Sequence, residues 1–222
     1  MTPFLVCDFD GTVCLADVGD RFFEHFTPPA RRAEWQALIH GYETGAIGSR
    51  ECLTREAALL TLAREDAEAF ADGFHADPGF ARLHDACVAQ GIGIAVVSDG
   101  LDVYIRRILA RAGLHDVEVL ANRAVFEPGG ALRPEFPWAG LGCGRCGNCK
   151  GYHVKRLQDA HHPVVMIGDA HSDVCGALAA DRVFARPILA RLLDQRGVAC
   201  ERFHEFDQIA AALGLAVNGK TP

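Results

Sequence analysis

The sequence predicts an α/β protein built on a doubly wound parallel sheet, and three observations predict it. Short, wholly apolar runs stop abruptly at acids, a hydroxyl or glycine: Phe4–Cys7 before Asp8, Ile92–Val97 before Ser98, and Val164–Ile167 before Gly168-Asp169. Uninterrupted apolar runs of this length are buried parallel strands. Stretches of helical spacing separate them, which is the alternation that yields parallel sheets. The polar residues gather at the carboxyl ends of the runs, where open parallel sheets place their binding groups.

Taken in order, the first strand brings Asp8 to its carboxyl end. Residues 14–90 are mostly helical: Arg50–Leu60 is rich in helix formers, with Leu53, Ala57 and Leu60 at helical spacing. This predicts an inserted helical subdomain over 14–90, with a core made of 1–13 and 91–222. The second strand ends at Ser98-Asp99-Gly100, and a helix carrying Val103, Ile105, Ile108 and Leu109 stops near Gly113. Val117–Leu120 predicts a third strand, and Phe126–Leu132 a hairpin turn through Pro128-Gly129-Gly130. A Gly/Cys-rich loop fills 140–149 and a helix begins near Lys150. After Val164–Ile167 comes a helix over Ser172–Ala180 and a short strand at Val183–Ala185. The tail after Ala216 reads as loose.

A chain of 222 residues buries a full core without staples. Its formal charge of −7 and pI of about 5.8 argue against nucleic acid or an anionic membrane as partner. No apolar stretch approaches the roughly 20 residues of a span, and the start has no signal-peptide pattern. The expectation is a cytosolic protein acting on a small molecule, its oligomeric state unspecified. Nine cysteines in such a chain point to metal or redox chemistry ahead of a disulfide framework.

Four constellations carry chemistry. In Asp8-Phe9-Asp10-Gly11-Thr12, two acids point the same way if strand geometry continues past the run. One can be a nucleophile while the other moves a proton; a solvated turn is the plain alternative. In Gly168-Asp169-Ala170-His171-Ser172-Asp173, two further acids offer oxygen ligands to a hard cation such as Mg2+. Asp173 also suits a helix N-terminus. Ser98, followed by the amides of Asp99 and Gly100, can hold a phosphate or simply cap a helix. Lys150 is one of only three lysines, with Lys155 and Lys220, and its place at a helix start can bring an ammonium into the strand-end cleft.

Together and in this order, these pieces resemble the haloacid dehalogenase superfamily of phosphatases, over about residues 3–12 and 92–190. The resemblance implies Asp8 as nucleophile and Asp10 as general acid and base. It implies phosphate binding by Ser98, Asp99 and Lys150. It implies a Mg2+ held by Asp8, the Asp10 carbonyl and Asp169, with Asp173 binding through water or orienting Lys150. The insertion, and Lys150-Gly151, resemble the phosphoserine-phosphatase-like branch, where a helical cap reads the leaving group. That branch carries a cap arginine for the substrate carboxylate; here Glu56 falls at that place and Arg55 one residue before it. Arg55, Asp20 and His171 are the candidate substrate contacts. Phe136-Pro137-Trp138, Cys146–Lys150, Met166–Asp169 with Asp173-Val174, and Phe184–Arg186 resemble the methionine-salvage branch, which acts on an enol-type phosphate. Ser98-Asp99-Gly100 departs from the Ser-Gly-Gly expected there.

Cys143, Cys146 and Cys149 form a C-x2-C-x2-C run among glycines. Three thiolates and one more ligand satisfy tetrahedral zinc; His153 and Cys175 are candidates for the fourth. An oxidation-sensitive pair and plain loop packing stay open beside zinc. Two rival functions also stay open: another reaction on the same fold, and a non-catalytic or metal-sensing module. Phosphonate cleavage in this superfamily needs a cap lysine, and residues 1–149 contain none.

Overall fold

The computed structural model describes residues 2–216, so the tail after Ala216 and Lys220 lie outside it. Seven strands form one sheet in the order β4-β3-β2-β1-β5-β6-β7. They are β1 (Phe4–Cys7), β2 (Gly93–Leu101), β3 (Glu118–Phe126), β4 (Leu132–Glu135), β5 (Val164–Gly168), β6 (Arg182–Ala185) and β7 (Glu201–Arg202). Every pairing is parallel except the β3–β4 hairpin. β1 is central because all four of its residues are apolar and buried. Its side chains alternate: Leu5 and Cys7 join one apolar cluster, Phe4 and Val6 the other. β2 and β5 alternate in the same way, so both faces of the sheet are covered, as a doubly wound fold requires.

The helices are α1 (Val18–Phe26), α2 (Arg32–Glu43), α3 (Ser49–Ala57), α4 (Arg64–Ala71), α5 (Pro78–Ala89), α6 (Asp102–Arg111), α7 (Lys150–Gln158), α8 (Val174–Ala177), α9 (Pro187–Asp194) and α10 (Phe206–Ala212). α7, α8 and α9 cover one face through Val154, Ala177, Leu189, Ala190 and Leu193. α5, α6 and α10 cover the other, together with the helices inserted after β1. The stretch 14–90 is helical as expected, but its last helix, α5, lies against β2 and α10 of the sheet layer. None of these helices is long and apolar enough to cross a membrane.

Three elements differ from the sequence expectation. β2 runs on through Ser98-Asp99-Gly100 to Leu101, with its register against β3 broken between Val97 and Leu101. β3 continues to Phe126 because its second half pairs with β4. The helix expected over Ser172–Ala180 is a 3-10 turn, His171–Asp173, and the four-residue α8. Gly176 lets this short piece pack closely: a side chain there would meet the Met166 sulfur at 2.9 Å and Lys150 Cβ at 3.0 Å.

Candidate active site

β1 and β5 are neighbours, so the residues just past them share one end of the sheet. The ladder continues one step beyond β1, with the Asp8 N–H donating to the Ile167 carbonyl at 2.9 Å. That fixes the Asp8 carboxylate beside Asp169 and Asp173, and their oxygens lie within 4.8 Å of one another. The chain then turns tightly at Gly11, where φ is +73° and a Cβ would collide with the Asp169 carboxylate. Only glycine combines that backbone with that approach.

Asp10 lies at the start of α1. Its Oδ1 accepts from the Val18 N–H at 2.8 Å and the Gly19 N–H at 3.3 Å, the free amides of a helix N-terminus. Burial, then Asp17, push the Asp10 carboxyl up to about 8 against those bonds. A carboxyl so placed holds its proton at neutral pH and can give it up.

Lys150 opens α7 and is wholly buried. Its Nζ stands 2.6 Å from Asp8 Oδ1 and 2.6 Å from Asp173 Oδ1, and donates to Ser172 Oγ at 3.0 Å. Burial alone would lower the ammonium; Asp173 and Asp8 outweigh it and hold the charge on. Asp173 is itself fixed, its Oδ2 accepting from the Asp169 and Ala170 N–H groups at 2.7 and 3.1 Å. Lys155, further along α7, contacts none of these groups.

Ser98 is buried at the cavity wall, its Oγ accepting from the Gly100 N–H at 3.0 Å. Asp99 is differently employed. Its carboxylate accepts from the Asn148 N–H at 2.7 Å, from Asn122 Nδ2 at 3.3 Å and from the Ser49 hydroxyl of α3. That carboxylate is a fastener between β2, the cysteine loop and the inserted helices, a role separate from that of the backbone amide expected to hold phosphate.

Asp8, Asp10, Ser98, Asp99 and Asp169 floor a cavity of about 290 Å³ whose other walls come from α1, α2 and α3. Asp20 and His171 line it, as do Asp17, Glu43 and Glu56. Arg55 does not: it lies on the solvent face of α3, paired with Glu51 at 3.2 Å and about half exposed. Glu56 points inward, accepting from Trp35 Nε1 at 2.9 Å, and burial pushes its carboxyl up to about 8. Phe23, Ile39, Leu53 and Cys52 make the rest of this wall apolar, and no Lys or Arg among the described residues lines the cavity. Ser49, Asn148 and Ser172 are not singled out by sequence, because a lone polar residue on a helix or loop has no spacing signal. Glu56 stands out in sequence only as a mismatch to an arginine.

The acidic cluster is suited to hold a cation. Burial, then Asp173, drive Asp8 well up from the usual carboxylate range against the pull of Lys150, and burial, then Asp173, push Asp169 up to about 7. Three carboxylates against one ammonium leave negative charge uncompensated at a half-closed site. An all-oxygen donor set of this kind fits a hard divalent ion such as Mg2+.

Residues 5–178 match the family model described as haloacid dehalogenase-like hydrolase. A 2-hydroxy-3-keto-5-methylthiopentenyl-1-phosphate phosphatase of Brevibacillus brevis is 30% identical over 94% of this chain and 94% of its own. A namesake from Bacillus velezensis is 29% identical over 96% and 90%. Among solved structures, a phosphoserine phosphatase captured as a phospho-aspartyl intermediate analogue superposes with a TM-score of 0.71, at 19% identity and coverage of 95% and 98%. A haloacid dehalogenase family hydrolase of Salmonella enterica superposes with a TM-score of 0.74, at 16% identity and coverage of 99% and 72%. Sequence match and fold agree: this chain belongs to the haloacid dehalogenase-like hydrolases and is a phosphatase of that family.

Proposed function

We propose that the chain is a Mg2+-dependent phosphomonoesterase that works through a phosphoaspartate on Asp8. The observation that carries this reading is the Lys150 ammonium, 2.6 Å from both Asp8 and Asp173 beneath a cavity that Asp10 also lines. An Asp8 oxygen attacks phosphorus and the bond to the ester oxygen breaks. The leaving oxygen takes the proton that Asp10 holds, and Asp10 then takes a proton from the water that attacks the acyl phosphate. Phosphate departs and Asp8 is restored. Lys150 and Ser98 offset the phosphoryl charge and orient it. Asp8, Asp169 and the Asp10 carbonyl would hold Mg2+, with Asp173 beside them. Bound there, the ion supplies positive charge against the repulsion between carboxylate and phosphate dianion.

The inserted helices α1–α4 act as the cap and α5 with the core. Their cavity wall argues the leaving group. A substrate carboxylate would face Asp20, Glu43 and Glu56, and among the described residues no Lys or Arg lines this wall to meet it. That disfavours phosphoserine, and it suits an uncharged leaving group with an apolar part. The substrate named for the curated relatives, 2-hydroxy-3-keto-5-methylthiopentenyl-1-phosphate, has that character through its methylthio tail. We place the enzyme in the cytosol, a reading supported by nine free thiols. The four-thiol cluster near Lys150 contributes no group to these steps.

Phosphate release should be measured with Mg2+ from this enol phosphate, phosphoserine and simple sugar phosphates, with Asp8→Asn as control. Preference for the enol phosphate, with kcat/KM of about 10⁴ M⁻¹s⁻¹ or above, is expected. Preference for phosphoserine would overturn the substrate reading and leave the chemistry standing.

A further inference from the structure

The cysteine-rich loop takes no part in the chemistry above, yet its thiols converge. Cys143, Cys146 and Cys149 meet Cys175 of α8, and all four sulfur atoms lie within 4.8 Å of one another. The Cys143 and Cys146 sulfurs are 3.3 Å apart. A disulfide holds its sulfurs at about 2.05 Å, and all four cysteines are free thiols. Around a tetrahedral zinc with bonds of about 2.3 Å, neighbouring sulfurs stand roughly 3.8 Å apart. The Cys143–Cys146 separation of 3.3 Å and the 4.8 Å limit on all the others are compatible with that value. Thiols placed for disulfides would sort into pairs; these four share a single centre.

The backbone is shaped to the cage. Gly142 and Gly144 have φ of +76° and +75°, and a Cβ on Gly142 would stand 2.7 Å from the Cys149 sulfur. The other candidate for fourth ligand, His153, stands outside this group of converging atoms, and its Nε2 is bonded to Asn148 Oδ1 at 2.6 Å. The fourth position therefore belongs to Cys175.

We propose that Cys143, Cys146, Cys149 and Cys175 bind one structural Zn2+, releasing thiol protons as it enters. Four thiolates close the coordination sphere, which is the mark of a structural site. Soft sulfur donors select zinc, and the all-oxygen cluster around Asp8 selects Mg2+, so the two sites sort their metals by chemistry. The zinc site ties together parts that the active site needs held. Cys149 directly precedes Lys150, and Cys175 lies two residues past Asp173, so both ends of the buried ion pair are anchored to the cage. On its other side the loop meets the cap: the Arg50 N–H donates to the Arg145 carbonyl and the Gly147 N–H to Ser49 Oγ, each at 3.3 Å.

The test is metal content of the full chain, purified under reducing conditions. Elemental mass spectrometry should find one zinc per chain in the wild type and equally in Asp8→Asn, so failure here is separable from failure of the phosphatase reading. Outer-shell substitutions already cost roughly 10–100-fold in metal affinity. Loss of a thiolate in Cys175→Ser or Cys143→Ser should exceed that in chelator competition, while Cys200→Ser keeps its zinc. In case the serine variants fold poorly, cobalt-loaded wild type provides a second readout. It should show the bands of a tetrahedral ion with thiolate charge transfer. Metal-free wild type, iron in place of zinc, or cobalt without thiolate absorption would each overturn the assignment.

Discussion

Asp8 and Asp10 are two residues apart, and their different surroundings suit them to the different work proposed for them. Asp8 meets an ammonium at 2.6 Å, whereas Asp10 meets helix amides and keeps a proton up to about pH 8. Asp8→Asn should abolish phosphate release with the fold intact, and Asp10→Asn should lower kcat by about 10²–10⁴-fold, the usual worth of a proton-transfer group. Full turnover in Asp8→Asn would sink the covalent route. Glu56 makes a prediction of another kind. Its carboxyl is raised by burial from 4.5 to about 8, so the folded state holds a proton that the unfolded chain releases. Its contribution to stability is therefore whole below about pH 4.5 and is lost as pH rises through 8. Glu56→Gln removes the titration and keeps an acceptor for Trp35. At pH 8.5 the variant should be more stable than wild type by on the order of 2–4 kcal/mol, and at pH 4.5 the two should nearly coincide. Denaturation midpoints at the two pH values decide it; a pH-independent difference would show that Glu56 is ionised in the fold.

The junction between α3 and the cysteine loop is where the inserted helices meet the sheet layer by backbone as well as side chain. Gly48 lies directly before α3, and a Cβ there would collide with the Arg145 carbonyl oxygen, which is backbone and cannot swing aside. Its φ of −87° is ordinary, so the obstacle is space alone. Gly48→Ala should thus hold the cap off the core, lower kcat/KM by about 10–100-fold and expose the segment before α3 to protease. That range corresponds to losing the charge-assisted Ser49–Asp99 bond, about 1.5–3 kcal/mol. Unchanged kinetics would show that closure does not pass through this contact. Elements at this scale were unevenly legible in the sequence. The strands β1, β2 and β5 announced themselves because burial on both faces forces continuous apolar runs. The continuation of β2 through Ser98-Asp99-Gly100 did not, since those residues have polar partners across the chain, Asn148 and Ser49, that no local pattern reveals. α5 belongs by packing to the sheet layer, although its sequence resembles the helices before it; Phe80 against Phe206 is a contact between distant segments.

For the molecule as a whole, one sheet end collects Asp8, Ser98, Lys150, Asp169 and Asp173 from β1, β2, α7, β5 and the turn after it. Asp8, Ser98 and Asp169 were legible as candidates from strand-end position, because the parallel sheet makes every strand terminate at the same rim, while Lys150 was legible from a helix start and Asp173 from its spacing to Asp169. The direction of each side chain on the inserted helices was not legible: Arg55 was the candidate contact, yet Glu56, which falls at the arginine's place in sequence, is the one that lines the cavity, since neighbours on a helix differ by about 100° in direction and only packing says which one faces in. The same collection of charge governs how the protein responds to metal and pH together. Asp169 is raised from 3.8 to about 7 by burial and Asp173, so without metal its share of stability is whole below pH 3.8 and is lost as pH rises through 7. Mg2+ bound at this cluster would take the place of the protons and have to compete with them. Thermal unfolding with and without Mg2+ should then show a small rise in Tm at pH 5 and a large one at pH 8. At 100 times its Kd the ion adds about 2.7 kcal/mol, which for a chain of this size is roughly 5–10 °C. Asp169→Asn removes a ligand together with the titration, so it should flatten both the pH dependence and the Mg2+ response. An equal Mg2+ effect at pH 5 and 8 in the wild type would mean that the ion binds away from this cluster.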